Sequence, residues 1–377
     1  MMEYEKPLPT SLTRRLQISL ARDFERKPPC KLAAICPGCA LQGISREGQA
    51  RLIRDLLAET FGSEPESIWQ GPEEGWLARP RFAARKVKDM VYIGWPSARG
   101  QVFDLWDCPN LPSEQRALLE RIKRFFKEES LSFYNPKVNR GKVMGLAFYG
   151  SPQPHSLVVS LITRLPVRSR LLGEKIARLS PDITGVAEEC EGNARGLFGE
   201  HHIFQRIAGA VYRMTPGGSW PRNPFLHQAL VEAAGGIIIP GSSVAEAGAG
   251  YFLSLALSSR LGKVLAFDVR PELLSDMIAS AEASFAGNVS VTLDNLRDMD
   301  KKGVNVFLVN ADRGPIFAES ARDMKDAEQV LLFGSDLKAL AVSHRNLTRS
   351  GFRMRRLLGF EPSPNRGEAL GLAEYGR

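Results

Sequence analysis

The chain has 377 residues, of which 44% are hydrophobic, and this length favours two or three domains with well-filled cores. Its formal net charge of +8 favours a polyanionic partner, with nucleic acid first. No apolar run approaches the roughly 20 residues that a membrane-spanning helix needs, so we expect no membrane partner. The chain shows no secretory leader pattern, and we expect a cytoplasmic monomer.

The first part of the chain divides into a polar extension and a cysteine-rich region. Residues 1–29 are polar and mixed in charge, and they contain four prolines, which is typical of an extension with at most a short helix. Residues 30–109 hold most of the cysteines. Within them, the apolar periodicity predicts a helix over residues 45–61, and the residue content predicts a strand over residues 82–93.

Four thiols in this region form a candidate metal site: Cys30, Cys36, Cys39 and Cys108. A Pro-Gly turn separates the second from the third and would let two sulfurs face one point. Four converging thiolates suit a [4Fe–4S] cluster, with a structural zinc ion as the lesser candidate. Disulfides and ordinary buried thiols are the alternatives, and disulfides seldom persist in the cytosol.

Two clusters of basic residues are candidate contacts for nucleic acid. The first comprises Arg79, Arg81, Arg85, Lys86 and Lys88, and the second comprises Arg345, Arg349, Arg353, Arg355 and Arg356. Aromatic residues Trp76 and Phe82 interleave with the first cluster, which is typical of surfaces that contact both phosphates and bases. We therefore expect RNA contact at the first cluster, and the alternative for either cluster is a solvated face.

The middle of the chain alternates predicted helices and strands, so residues 110–215 are predicted to form an α+β domain. Helices are predicted over residues 113–129 and 170–179, and strands over residues 143–149 and 157–163. A Pro-Gly-Gly run at residues 216–218 then breaks the chain.

Residues 216–377 show an α/β pattern. A helix is predicted over residues 225–235, and strands are predicted over residues 263–268, 304–310 and 329–333. Residues 244–252 are predicted to be a strand that runs into a glycine turn and a second helix. Strands that alternate with helices predict a parallel, doubly wound, Rossmann-like sheet.

Polar residues and glycines follow three of these strands. Ligands of doubly wound sheets bind beyond the carboxyl ends of the strands. Gly248 and Gly250 would let a nucleoside approach the backbone closely, and Asp268 would accept hydrogen bonds from a ribose diol. Together with Asn310 at the next strand end, this order favours a nucleoside-type cofactor. Tight packing between strand and helix is the alternative explanation of the glycines.

From Cys30 to its C-terminus, the chain resembles the RNA uracil-C5 methyltransferases that use S-adenosylmethionine. The likeness is to the ribosomal-RNA branch, which carries an iron–sulfur cluster and lacks an N-terminal TRAM barrel. The segments that carry it are the four cysteines, residues 135–141, residues 248–252, residues 310–314 and residues 362–368. The resemblance implies a cofactor site that includes Asn223, an RNA surface that includes Arg140 and Arg313, and a base at Glu368.

The chain departs from this family at its chemical centre. The cysteine that attacks C6 of uracil corresponds to Ser335, and an unassisted serine hydroxyl is a far weaker nucleophile. A glutamine that binds cofactor or base corresponds to Pro221. The acid that usually ends the first strand corresponds to Val244, for which Glu246 could partly substitute.

These departures predict a divergent family member that binds structured RNA, with ribosomal RNA first, and that has lost the thiolate mechanism. Binding of S-adenosylmethionine is expected to be weakened. The alternative is an active methyltransferase that needs no cysteine at position 335, and a third hypothesis is a cluster-bearing scaffold for a protein partner. We expect Ser335 to lie near Glu368 at the mouth of the cofactor cleft.

Overall fold

The computed structural model describes residue 20 and residues 23–97, 101–129, 131–152, 155–218, 220–294, 301–316, 318–324 and 326–377. Most of the extension predicted over residues 1–29 therefore lies outside the described residues. Among the described helices, none combines the length and the apolar character needed to cross a membrane.

The described helices are, in chain order, α1 (Arg46–Phe61), α2 (Ser113–Glu128), α3 (Arg170–Ala177), α4 (Pro224–Ile237), α5 (Leu253–Leu257), α6 (Pro271–Ala283), α7 (Ala318–Asp323) and α8 (Leu337–Arg349). The strands are β1 (Ser67–Trp69), β2 (Arg81–Val87), β3 (Met90–Pro96), β4 (Val102–Asp104), β5 (Val143–Pro152), β6 (His155–Thr163), β7 (Ile183–Cys190), β8 (Asn193–Gly199), β9 (Ile203–Ile207), β10 (Ala210–Met214), β11 (Val244–Ala247), β12 (Val264–Asp268), β13 (Val289–Leu293), β14 (Val306–Asn310), β15 (Gln329–Gly334), β16 (Arg353–Phe360) and β17 (Leu370–Gly376).

A seven-stranded sheet has the order β4-β3-β2-β5-β6-β7-β8. Its pairs are antiparallel except for β6 and β7, which run parallel. Helix α2 packs its apolar face, which includes Leu118, Ile122 and Phe126, into the same core as Phe82 and Phe148. Strands β2–β4 come from the predicted cysteine region and the others from the predicted central domain, so one sheet joins the two stretches.

An eight-stranded sheet has the order β1-β16-β17-β15-β14-β11-β12-β13. Strands β11 to β15 run parallel to one another, and β17 runs antiparallel to β15 and β16. Helices α1, α7 and α8 contribute to the core on one face, and α4 and α5 contribute to the core on the other. The predicted doubly wound, Rossmann-like sheet is confirmed, because parallel strands must cross over through helices that cover both faces.

Local signals explain where the N-terminal part meets this sheet. Helix α1 begins after Ser45, whose hydroxyl accepts a hydrogen bond from Gly48 N, and ends at Gly62 with a left-handed φ of 69°. The helix buries Leu52 and Leu57 in the core of the eight-stranded sheet. Strand β1 follows and pairs parallel with β16, so the cysteine region contributes to both large sheets.

A third core joins the two large sheets. It contains Tyr149 and Val158 of the seven-stranded sheet, Tyr212 of the β9–β10 hairpin, and Leu273 and Met277 of α6. The carboxyl ends of β14 and β15 and residues of the seven-stranded sheet line one shared cleft. This arrangement positions the candidate site.

Candidate functional site

Both large sheets contribute side chains to one cleft of about 1590 Å³, which we call the central cleft. The cleft brings together seven of the residues predicted from the sequence: Arg79, Arg81, Asn223, Asn310, Arg313, Ser335 and Glu368. Pro221 also lines it. Gly248, Gly250 and Asp268 are absent from its described lining, although the two glycines lie next to Arg313, which lines the cleft.

Ser335 follows β15 directly, and its hydroxyl is held by Asp312. Ser335 Oγ donates to Asp312 Oδ2 at 3.0 Å, while the backbone N–H groups of Ser335 and Asp336 donate to Asp312 Oδ1 at 2.6 and 2.7 Å. The hydroxyl is therefore oriented by a carboxylate rather than unassisted. Sequence reasoning missed Asp312, although it lies in the segment 310–314, which carries part of the family resemblance.

Glu368 lies at the same cleft as a half-buried carboxylate. Its Oε1 atom is 3.8 Å from Nε of Arg366. Ser335 and Glu368 thus line one cleft, while no cysteine is found among the lining residues that the structure describes.

The carboxylate predicted to bind ribose is already occupied by a side chain of the protein. Asp268 is 3% exposed, and Arg270 binds both of its oxygens, with Nε 2.8 Å from Oδ1 and a terminal nitrogen 2.8 Å from Oδ2. Arg270 N donates to Asp268 Oδ1 as well, at 3.1 Å. Asp268 in this arrangement presents no open acceptor pair to a diol.

The glycine turn lies against two guanidinium groups. A Cβ atom at Gly250 would be 2.9 Å from a terminal nitrogen of Arg313 and 3.0 Å from one of Arg270. Gly248 has a φ of 66°, and a Cβ atom there would be 2.7 Å from Arg313 Cγ. Burial, reinforced by the charge of Arg270, lowers the pKa of Arg313. As arranged, the ends of these flexible arginine side chains fill the space that the glycines open, so a nucleoside would have to displace them.

A further polar residue at this edge stabilises the start of a helix. Glu246 is fully buried and accepts hydrogen bonds from Leu253 N at 2.9 Å and from Ser254 N and Oγ at 2.8 and 2.5 Å. Burial raises its pKa. Because Glu246 caps α5, the sequence-based suggestion that it substitutes for the acid at Val244 is not supported.

Two asparagines at the cleft differ in how fully they are hydrogen-bonded. Asn223 Oδ1 accepts from the N–H groups of Phe225 and Leu226 at the start of α4, and its Nδ2 donates to Pro362 O at 3.2 Å. Asn310 Oδ1 accepts from Asp312 N at 3.1 Å, but its buried Nδ2 has no hydrogen-bond partner within the described ranges. Asn310 thus retains a donor that a ligand could use.

The arginines of the first basic cluster have different partners. Arg79 is 3% exposed and donates to Pro221 O and Gln205 Oε1, both neutral acceptors, and burial lowers its pKa to about 10. Arg81 instead donates to Glu189 Oε2 at 2.5 Å and to Tyr149 Oη at 2.9 Å. The charge of Arg81 is therefore neutralised within the protein, whereas Arg79 brings a cation to the cleft.

Tyr134 stands at the cleft between two cations, a feature that sequence reasoning missed. The guanidinium carbons of Arg85 and Arg164 lie 5.8 and 5.6 Å from the centroid of its ring. Tyr134 and Arg164 line the cleft, whereas Lys86 and Arg140 are exposed outside it. An aromatic ring next to basic residues, one position before the segment 135–141, was the available signal.

The four predicted cysteines line one small second cavity. Hydrogen-bond donors already point at three of the sulfurs: Leu32 N at Cys30 (3.4 Å), Gly38 N at Cys36 (3.4 Å) and Asn110 Nδ2 at Cys39 (3.2 Å). Burial raises the pKa of Cys39 to about 11 and that of Cys108 to about 12, and the charge of Arg366 opposes the rise at Cys39. We call this cavity the cysteine pocket.

The chemistry of the cysteine pocket suits a four-thiolate centre. N–H donors to sulfur stabilise thiolates, and a metal deprotonates the thiols that bind it. The described residues contain no group of three or more His, Cys, Asp or Glu side chains already drawn together as metal ligands. The thiols nevertheless share one enclosed space, so the residue types fit a metal centre that would draw them together. Cys190 lies outside both cavities, with Sγ 3.5 Å from Arg164 O.

The architecture is that of a known fold. A doubly wound sheet with a glycine turn after β11 and an acid at the end of β12 has the Rossmann-like fold of S-adenosylmethionine-dependent methyltransferases.

Sequence comparisons with known proteins find similarity to RNA methyltransferases. Over 258 residues the chain is 24% identical to the tRNA (uracil(54)-C(5))-methyltransferase of Pyrococcus horikoshii, a match that covers 63% of this chain and 59% of the relative. A match of 106 residues is 36% identical to the 23S rRNA (uracil(1939)-C(5))-methyltransferase RlmD of Methylococcus capsulatus, covering 26% of this chain and 23% of the relative. No family model matches the chain.

A solved structure shows the same fold over most of the chain. It is the tRNA (uracil-54, C5)-methyltransferase of Pyrococcus abyssi in complex with S-adenosyl-L-homocysteine, with a TM-score of 0.77 and 19% identity. The match covers 90% of this chain and 86% of that one. The chain spans about 60% of the length of the first two curated relatives. In sequence and in fold, it is similar to S-adenosylmethionine-dependent RNA uracil-C5 methyltransferases.

Proposed function

We propose that this chain binds structured RNA in the central cleft as a divergent relative of the RNA uracil-C5 methyltransferases that has lost the thiolate mechanism. The observation that carries the proposal is the hydroxyl of Ser335 at the end of β15, in a cleft whose described lining contains no cysteine. In the family that the chain resembles, a thiolate attacks C6 and makes C5 electron-rich enough to accept a methyl group. A hydroxyl hydrogen-bonded to a carboxylate does not match the nucleophilicity of a thiolate.

RNA is the ligand that the cleft favours, because its walls combine cations with an aromatic ring. Arg79 brings a charge that no carboxylate of the described chain pairs, and Tyr134 offers a face on which a base could stack. Ribosomal RNA is the first candidate by the resemblance, and the tRNA (uracil-54, C5)-methyltransferases among the matches make tRNA the comparison substrate.

We propose S-adenosylmethionine as a weakly bound cofactor. The Pyrococcus abyssi structure holds S-adenosyl-L-homocysteine, and this chain keeps Gly248, Gly250, Asp268 and Asn310. Arg270 and Arg313 lie over the glycine turn, however, and a nucleoside would have to displace them. For this reason we assign no methyl-transfer step to the cleft.

We also propose that Cys30, Cys36, Cys39 and Cys108 hold one [4Fe–4S] cluster, with zinc as the lesser candidate. Such a centre, when bound, would tie the N-terminal segment to the strand region near Cys108. The protein's own residues prepare the site by directing N–H donors at the sulfurs.

The test incubates ribosomal RNA and tRNA with labelled S-adenosylmethionine and the native protein, followed by mass spectrometry of the nucleosides. We expect RNA binding that weakens steeply with salt, and neither 5-methyluridine nor a covalent adduct. Formation of 5-methyluridine would overturn the proposal and establish the alternative, an active methyltransferase in which Asp312 assists Ser335. RNA binding too weak to measure at low salt would instead favour the scaffold hypothesis.

A further inference from the structure

Arg366 lies between the cysteine pocket and the central cleft. Its guanidinium carbon is 5.4 Å from the centroid of the Trp95 ring. Trp95 lines the cysteine pocket, and a Cβ atom at Gly38 would be 2.8 Å from both Cδ1 and Nε1 of Trp95. The turn between Cys36 and Cys39 therefore packs on the same ring that Arg366 contacts.

The charge of Arg366 is poorly compensated on its other side. The side chain is 10% exposed, and its nearest ion-pair partner is Glu368, whose Oε1 atom is 3.8 Å from Nε. Arg366 Nε is buried and has no hydrogen-bond partner in the part of the chain that is described. A buried cation whose described ion pair is this long is further stabilised by a second anion nearby.

The backbone around Arg366 is fixed by contacts to the N-terminal region. Asn365 O accepts from Leu41 N at 2.8 Å, and Asn365 N donates to Gln49 Oε1 at 3.0 Å. Asn365 also lines the cysteine pocket and has a left-handed φ of 66°. The loop is thus built to hold Arg366 at this place rather than to release it to solvent.

We propose that Arg366 is the counter-cation of an anionic four-thiolate centre in the cysteine pocket. The inference rests on the centre proposed above. Four thiolates carry more negative charge than either a zinc ion or an oxidised [4Fe–4S] core supplies in positive charge, so the loaded site is anionic with either metal.

The experiment compares anaerobically purified full-length protein with the variants Arg366→Gln and Arg366→Lys. The matched control is Arg213→Gln, because Arg213 Nε is also buried without a hydrogen-bond partner and lies 3.7 Å from Asp276, away from the cysteines. Iron, sulfide and zinc per chain are measured, followed by the rate of metal loss to a chelator. For an iron-loaded protein the midpoint potential is also measured, and circular dichroism checks folding.

We expect Arg366→Gln to lose metal several-fold faster than the native protein and, with iron, to have a more negative midpoint potential. Removing a nearby positive charge disfavours addition of an electron. Arg366→Lys should restore most of the retention, and Arg213→Gln should behave as the native protein. Folded Arg366→Gln with native retention and, if iron is bound, native potential would overturn the role of Arg366 alone. A native protein without iron or zinc would overturn the centre and this role together.

Discussion

The cysteine pocket and the carboxyl ends of strands β11, β12 and β14 both keep residues typical of a ligand site, but they differ in how the polar groups of those residues are hydrogen-bonded. We call the second region the cofactor edge, after the cofactor proposed above. In the cysteine pocket, Leu32 N and Asn110 Nδ2 point at sulfurs, and next to the pocket Arg366 has a buried nitrogen without a partner in the described residues. At the cofactor edge, both oxygens of Asp268 accept hydrogen bonds from Arg270, and both oxygens of Glu246 accept hydrogen bonds from the first residues of α5. The donors at the cysteine pocket would stabilise an anionic centre, whereas the acceptors at the cofactor edge are already hydrogen-bonded within the protein.

This difference shows that a residue type that is typical of a ligand site does not by itself establish one. A polar group contributes binding energy only if the ligand's hydrogen bonds replace those made to water, and an internal partner must first be displaced. Asn310 is the exception at the cofactor edge, because its Nδ2 remains without a partner among the residues described. The proposed cofactor affinity therefore depends chiefly on how easily Arg270 leaves Asp268.

The largest expected effect is the loss of metal when a cysteine of the pocket is replaced, which distinguishes a metal centre from ordinary buried thiols. Cys39→Ser should remove nearly all bound iron or zinc and lower the thermal midpoint, because a structural metal contributes directly to folding. Cys190→Ser is the matched control, since Cys190 lies outside the pocket, and it should keep the native metal content. Metal analysis and thermal denaturation of anaerobic samples make the measurement. Equal metal content in Cys39→Ser and native protein would contradict the ligand assignment.

The cores and strand ends could be predicted from local patterns, whereas the pairing of strands that lie far apart in the sequence could not. The apolar runs that end at Asp268 and Asn310 alternate with helices, and such alternation determines a parallel sheet locally. Strand β16 carries exposed Arg353, Arg355 and Arg356, so its sequence indicated only a basic surface. Its strand forms because β17 and β1 pair with it, and such distant pairings leave little local signal.

The candidate site was predictable in its residue types but not in their partners. The sequence indicates Asp268 as an acid at a strand end, yet the position of the Arg270 side chain follows from folding of the whole turn. Arg79 and Arg81 are equivalent in sequence terms, and only the distant Glu189 distinguishes them. Partners far along the chain are set by tertiary packing, and a single sequence does not reveal them.

A second prediction compares two arginines of the cleft, Arg79, which donates to neutral acceptors, and Arg81, which is paired with a carboxylate. Arg79→Met should weaken RNA binding roughly tenfold and reduce the salt slope by about one, the loss expected for one charged contact. Arg81→Met should change the salt slope little, because Glu189 already neutralises Arg81. Filter binding over a salt series makes the comparison, with folding checked for both variants. Identical slopes for the two variants would show that Arg79 makes no phosphate contact.

A third prediction tests whether the cofactor edge is closed by its own arginine. Arg270→Ala should raise affinity for S-adenosylmethionine by up to about tenfold, because Asp268 would regain acceptors whose hydrogen bonds are worth about 1.5–3 kcal/mol each. The gain is limited by the cost of leaving a buried carboxylate without its ion pair. Calorimetry against native protein and Arg260→Ala, an arginine away from the strand ends, gives the result. Unchanged or weaker binding would mean that Arg270 does not compete with the cofactor.

The smallest expected effect concerns the nucleophile position. Ser335→Cys alone should form neither 5-methyluridine nor a covalent RNA adduct, although a thiolate is the better nucleophile. The cofactor side remains compromised, since Pro221 offers no side-chain hydrogen bond, Val244 offers no acid, and Arg270 still covers Asp268.

The decisive measurement is nucleoside mass spectrometry after incubation with labelled S-adenosylmethionine, with native protein and Ser335→Ala as controls. A covalent adduct without methylation would show that the cleft still places uracil against residue 335, and that only the cofactor edge has been lost. Methylation by Ser335→Cys alone would show that Arg270 and Arg313 move aside readily. The contrast between an open cysteine pocket and a closed cofactor edge would then no longer hold, because the cofactor would supply enough binding energy to open the arginine cover.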